Sequence, residues 1–190
     1  MIGLKVVMGD PARTGDAFAW VGASFNLDDY KIKFQLAKQF FKTPYREVAN
    51  YAIKIHNQIK PNFMGIETNN QGNHVLRLFK EKYHMDWLKG VSTSANLKES
   101  TRAKGFTLDK PYQIGWFKQK LAEHDIVFPS VPTKDMQELI DQIPKISQFI
   151  TPGGQTSYRA YRSQHDDLFM AALHCTNFIR LFIEQQKHLT

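Results

Sequence analysis

A chain of 190 residues, 42% hydrophobic and 23% charged, is long enough to bury one sizeable core, which argues against a disordered tail and for a single domain over residues 1–190. No apolar run approaches the roughly 20 residues of a membrane span, Met1 to Met8 lacks the pattern of a secretory signal, and the single cysteine, Cys175, excludes an intrachain disulfide framework; a soluble protein of a reducing cytoplasm is expected. Twenty-five Lys and Arg against 18 Asp and Glu give a formal charge of +7, which leans towards an anionic partner such as nucleic acid.

Three strands open the chain. Lys5 to Met8 is a short apolar run ending at Gly9-Asp10, and Phe18 to Phe25 is a second β-rich run. In the third, Tyr30, Ile32, Phe34 and Leu36 alternate with Lys31, Lys33 and Gln35 at period 2. Thr43-Pro44 supplies a helix N-cap and first position, Val48, Ala52, Ile55 and Ile59 follow at helical spacing, and Lys60-Pro61 marks the stop. Phe63 to Glu67 reads as a fourth strand. A helix through His84 carries Val75, Leu76, Phe79 and Tyr83, and Leu88 to Val91 is a short fifth strand.

The polar and basic stretch from Ser92 to Lys110 reads as a loop. Asp109 and Pro111 open a helix with Ile114, Phe117 and Leu121 inward. Ile126 to Phe128 is a short strand, and Met136, Leu139, Ile140 and Ile143 mark a helix halted by Pro144. Pro152-Gly153-Gly154 between two β-prone arms predicts a hairpin over about residues 145–162, and a last amphipathic helix starts near Asp166. The whole specifies an α/β fold: three antiparallel strands followed by parallel ones in a mixed sheet, strand one central, helices on its faces, and an added β-hairpin.

Acidic residues stand at the ends of these elements. Asp10 ends strand one, Glu67 ends strand four, and Asp166-Asp167 opens the last helix. If strands one and four lie side by side, their carboxylates meet at the crevice where sites form in open α/β sheets. At about 100° per residue, Leu168, Ala171, Ala172, Cys175, Ile179 and Phe182 share one helix face. Asp167 borders that face, whereas Asp166 points with Asn177 and Glu184 towards solvent, so Asp167 is the expected inward acid. A turn explains Asp10 alone and an N-cap explains Asp166 alone; the set together says more. Clustered carboxylates in a low-dielectric crevice repel one another unless a cation neutralises them. Oxygen donors without a Cys or His pattern select Mg²⁺ or Mn²⁺, and two such ions suit phosphodiester hydrolysis by clamping both the attacking and the leaving oxygen.

Gly9-Asp10-Pro11-Ala12-Arg13-Thr14-Gly15-Asp16, Gly65-Ile66-Glu67, Gly105-Phe106-Thr107 before Lys110, Glu138-Leu139, and His165-Asp166-Asp167-Leu168 with Ala171-Ala172 resemble, in order and over essentially the whole chain, the nuclease domain of viral and phage terminase large subunits. That resemblance implies a ribonuclease H-like fold and a metal-dependent endonuclease that cuts concatemeric viral double-stranded DNA during packaging, in the host cytoplasm. It implies Asp10, Glu67 and one or both of Asp166 and Asp167 as catalytic metal ligands, with Asp16 an accessory acid; His165 beside them suits proton transfer or a phosphate contact, or a structural role at the helix entry. Partners in a full packaging system are an ATPase domain, a small terminase subunit and a portal. This chain has no G-x-x-x-x-G-K-[ST] phosphate loop, so it corresponds to an excised nuclease domain or to a free-standing relative.

Ser157-Tyr158-Arg159-Ala160-Tyr161-Arg162 interleaves aromatic and basic residues on the expected hairpin, which makes Arg159 and Arg162 candidate DNA contacts. Arg102, Lys104 and Lys110 in the basic stretch are further candidates. The same residues also suit a solvated, charged edge and loop. His56, His74 and His174 show no paired metal spacing, and Cys175 lies on the apolar helix face as a small core residue. Two rival functions use the same features: a Holliday-junction resolvase-like or RNA-hybrid nuclease of this fold, and a non-catalytic DNA-clamping or motor-docking module.

Overall fold

The computed structural model describes residues 3–11, 17–69, 71–94, 107–150, 156–160 and 166–187. β1 (Gly3–Pro11), β2 (Ala17–Asn26) and β3 (Ile32–Phe41) form an antiparallel meander. β4 (Phe63–Glu67) joins the other side of β1 in parallel, followed by β5 (Lys89–Ser94) and β6 (Thr107–Asp109), while β7 (Ile126–Val127) adds to β3 in parallel. The seven-stranded order is therefore β6-β5-β4-β1-β2-β3-β7, with β1 at its centre. β8 (Ile146–Ile150) and β9 (Thr156–Ala160) pair as a separate antiparallel hairpin, Ile146 opposite Ala160.

Alternation along β1 divides the interior into two layers. Val7 packs with Phe18 and Trp20 under α1 (Tyr45–Ile59) and α2 (Gly72–Tyr83). Val6 and Met8 point the other way, to α3 (Lys110–Ala122), α4 (Lys134–Gln142) and α5 (Asp167–Lys187). On the α1–α2 side Gly9 leaves room for the Trp20 ring, from which a Cβ would stand only 2.7 Å away.

Two expectations are corrected. Ser92 to Lys110 is not all loop: β5 runs on to Ser94, and Thr107 to Asp109 form the edge strand β6, with Leu108 fully buried and Ser92 bonded to Thr107 at 2.9 Å. Three residues are too few to show a period, so this strand exists only by pairing with β5. The middle of that stretch lies outside the described residues. α5, for its part, is not amphipathic in its first four turns. One side lies on β1 and β2 and the other is covered by α3 and α4, where Phe169 meets Phe117 edge to face with centroids 5.4 Å apart. Asn177, expected to face solvent, is buried there and accepts a hydrogen bond from Arg180. Cys175 is buried against the backbone carbonyls of Val6 and Val21, and burial pushes its thiol far above the ordinary range, in keeping with a core role.

Candidate active site

The alternation that buries Val6 and Met8 under α5 also brings Asp10 out on that side, at the carboxyl end of β1. β4 runs in register with β1 from Val6 opposite Phe63 to Gly9 opposite Ile66, so the next step sets Asp10 beside Glu67. Ile66 belongs to the α1–α2 core, which turns Glu67 to the α5 side as well. Asp167 arrives in the first turn of α5, where the helix dipole favours an acid. The side chains of Asp10, Glu67 and Asp167 are thus all buried, with their residues 6%, 9% and 6% exposed. Asp166 sits further out, its side chain 27% exposed and 3.7 Å from the Lys110 ammonium.

Burial first, then the charges of Glu67 and Asp167, push the Asp10 carboxyl well above its ordinary value, and Asp166 adds to the push. A hydrogen bond between the Asp10 and Glu67 carboxyls adds to the upward push on Asp10. Burial acts upward on Glu67 too, but the neighbouring His174 imidazole and hydrogen bonds from Thr93 and Asp10 outweigh it and hold Glu67 at about 2. The Nε2 atom of His174 stands 3.8 Å from Glu67 Oε2 and 3.0 Å from Thr93 Oγ1. Asn69 clamps the supporting strand by donating to the Thr93 carbonyl at 2.7 Å. On the other flank Gln39 donates to Asp167 at 3.4 Å. It reaches across Ala19, which is opposite Asp10 on one side and Gln39 on the other and is too small to intervene.

Gly72 sets the depth of the site. Its ideal Cβ would lie 1.9 Å from the carbonyl oxygen of Glu67, so only glycine allows α2 to start hard against the end of β4.

The donor set suits a hard divalent ion, because several carboxylate oxygens gather where like charges cannot all stay ionised unaided. Among the described residues, no three His, Cys, Asp or Glu side chains form a ready-made metal cage. Glu67 is engaged with Asp10, Thr93 and His174, and Asp167 with Gln39, so holding an ion requires the side chains to rotate.

Sequence reasoning did not find His174 or Gln39 as parts of this site. His174 follows Asp167 by seven residues, two helical turns that return within about 20° to the same face; that spacing was the available signal. Gln39 carries no such mark, since only the pairing of β3 with β2 brings it near Asp167. Lys110 points its ammonium at Asp166, with its side chain 19% exposed. Asp16, Arg102, Lys104, Arg162 and His165 lie outside the described residues, and Arg159 is described only through its backbone, opposite Ser147.

No family model and no curated protein matches the sequence. Solved structures do match. The large terminase nuclease of the thermophilic phage G20c aligns with a TM-score of 0.64 and 12% identity, over 91% of this chain and 81% of that one. The nuclease domain of the bacteriophage SPP1 large terminase with bound manganese aligns at 0.58 and 12%, over 93% and 86%. A mutant of the corresponding domain of bacteriophage Sf6, with calcium, aligns at 0.61 and 13%, over 90% and 87%. Asp10 and Glu67 of this chain therefore stand at strand ends, and Asp167 at a helix start, of the mixed-sheet fold shared with those large terminase nuclease domains.

Proposed function

We propose that this chain is a Mg²⁺- or Mn²⁺-dependent endonuclease of the terminase kind, hydrolysing phosphodiesters of double-stranded DNA when concatemeric viral genomes are cut for packaging. The observation that carries the reading is the burial of Asp10, Glu67 and Asp167 on one side of the sheet, crowded enough that burial and the neighbouring carboxylates push the Asp10 carboxyl above its ordinary range. The likeness to nuclease domains that bind manganese or magnesium supports it.

Asp10, Glu67 and Asp167 would hold the metal, with Asp166 at the rim. Two bound ions would supply an activated water and stabilise the leaving 3′ oxygen. The chain's own residues prepare for this. Glu67 stays ionised beside His174 and Thr93, Gln39 orients Asp167, and Lys110 balances Asp166 so that the rim does not add a further uncompensated charge. Recognition mainly through phosphates implies little base specificity. The working setting is the host cytoplasm, with an ATPase domain, a small terminase subunit and a portal as partners.

Cleavage of supercoiled plasmid across Mg²⁺ and Mn²⁺ titrations tests the proposal. Wild type is expected to nick and linearise DNA only with a divalent ion, and Asp10→Asn to abolish this. Undiminished cleavage by Asp10→Asn, or none by wild type at any Mn²⁺ concentration, overturns the reading, the latter in favour of a DNA-clamping module. Strong preference for four-way junctions or RNA–DNA hybrids over duplex would move the assignment to the resolvase-like or hybrid nucleases.

A further inference from the structure

The two helical layers differ in charge. Residues 42–89, which hold α1 and α2, carry eight Lys and Arg against four Asp and Glu, and one of those acids is the buried Glu67. Residues 110–142, which hold α3 and α4, carry four against five. More than half of the chain's positive excess thus lies on the layer that faces away from the carboxylates. Within that layer α1 is the clearest case, with Glu47 as its single acid in fifteen residues.

Val48, Ala49, Ala52 and Ile55 form the buried face of α1. At about 100° per residue the opposite face presents Arg46, Asn50, Lys54 and Asn57, all exposed. Lys42 before the helix and Lys60 at its end are exposed too and extend the row. Lys42, Arg46, Lys54 and Lys60 make no ion pair among the described residues, whereas Lys110, Lys120 and Arg180 on the other layer each meet a carboxylate. α1 starts just after β3, at the end of the sheet where Asp10 and Gln39 flank Ala19, and runs about 22 Å from there. His56 stacks on Trp87 with ring centroids 3.9 Å apart, which ties the far end of the helix to the approach to β5.

Cations and side-chain amides spread over this length fit a run of phosphates, since Lys, Arg and Asn all donate to phosphate oxygens. A protein partner would look for apolar anchors instead. Among the described residues the exposed large hydrophobic side chains are Tyr30, Phe41, Tyr112, Val127 and Val131, and none lies on α1 or α2. We infer that the outer face of α1, from Lys42 to Lys60, is a docking surface for the phosphate backbone of duplex DNA. It takes duplex that flanks the scissile phosphate, because the carboxylates lie on the other side of the sheet, and it reads no bases. The choice of DNA as the polyanion rests on the nuclease reading; the row of charge does not.

The test measures binding of a fluorescein-labelled duplex to the full chain in EDTA as a function of salt. Arg46→Gln/Lys54→Gln is expected to weaken binding about tenfold and to lower the log–log salt slope by about 2. Lys118→Gln/Lys134→Gln removes the same charge from α3 and α4 and should weaken binding less than about twofold. Asn50→Asp, which sets an acid in the middle of the row, should weaken it about fivefold. Equal losses in the two double variants would trace binding to net charge and overturn the surface, as would unchanged affinity in Arg46→Gln/Lys54→Gln. Displacement of the duplex by poly-glutamate as readily as by unlabelled DNA of equal charge likewise overturns it, in favour of an acidic protein partner. Plasmid cleavage by wild type with Mn²⁺ is followed in parallel: duplex held through α1 but never cut leaves the surface standing and removes the nuclease reading.

Discussion

The two ends of α5 bury charge in opposite ways. Three turns into the helix, Arg180 is buried but fully answered: its guanidinium donates to Gln113, Asn177 and Glu184 and lies 5.0 Å over the Tyr112 ring. At the first turn, Asp167 joins Asp10 and Glu67, and among the described residues the Lys110 ammonium at that end faces the outer Asp166. A buried charge with complete partners rigidifies the helix packing, whereas a buried excess of one sign leaves the fold strained until a cation arrives. The difference separates the structural end of the helix from the functional one.

The comparison is broken most sharply by Asp10→Asn. It is expected to reduce divalent-dependent cleavage by about 10³-fold or more, measured on plasmid DNA, while the fold persists by circular dichroism. At the structural end, Arg180→Ala should cost about 3 kcal/mol in urea unfolding, because Gln113 and Asn177 lose their buried partner, with little change in Mn²⁺ affinity. His174→Ala should act the other way round. Removing the group that holds Glu67 ionised is expected to weaken Mn²⁺ binding by about 10- to 100-fold in calorimetry with a modest stability change, partly rescued by His174→Gln.

The pH response sharpens the same contrast. Because the folded chain raises the Asp10 pKa, it binds a proton that the unfolded chain releases, so stability in EDTA falls as pH rises from the ordinary aspartate range through the raised value. Glu67 works in a lower window: its contribution is present above its unfolded value and lost only as pH falls towards about 2. Thermal melts in EDTA should therefore show a decline towards alkaline pH that Asp10→Asn or added Mn²⁺ flattens. The smallest effect is expected at the surface. Lys120 and Lys31 both reach Asp125 at 2.9 Å and hold its carboxyl below the usual range, but the pairs lie at the surface and Lys120 remains when Lys31 is removed, so Lys31→Ala should change stability by less than about 1 kcal/mol.

Much of the scaffold was legible before any coordinates. Period-2 alternation marked β3, the spacing of Val48, Ala52 and Ile55 marked α1, and the β-prone arms expected over about residues 145–162 marked the pair β8 and β9. Asp109 caps α3 by accepting from the Tyr112 amide at 3.3 Å, as its place before Pro111 suggested. β6 escaped because three residues cannot display a period, and the burial of α5 on all sides escaped because its outer polar residues, Thr176, Asn177 and Arg180, are the ones that hydrogen-bond into α3 or to one another.

Local chemistry in the sequence determined where strands and helices begin and end, and therefore that Asp10, Glu67 and Asp167 fall at element termini; periodicity and capping act over a few residues and need no distant partner. Tertiary structure alone decided that β4 pairs with β1 in the register that sets Asp10 against Glu67, that His174 and Gln39 brace the acids, and that Lys110 turns to Asp166. Those contacts join residues tens of positions apart, and their energies come from burial and charge in a shared low-dielectric space, which no window of the chain contains.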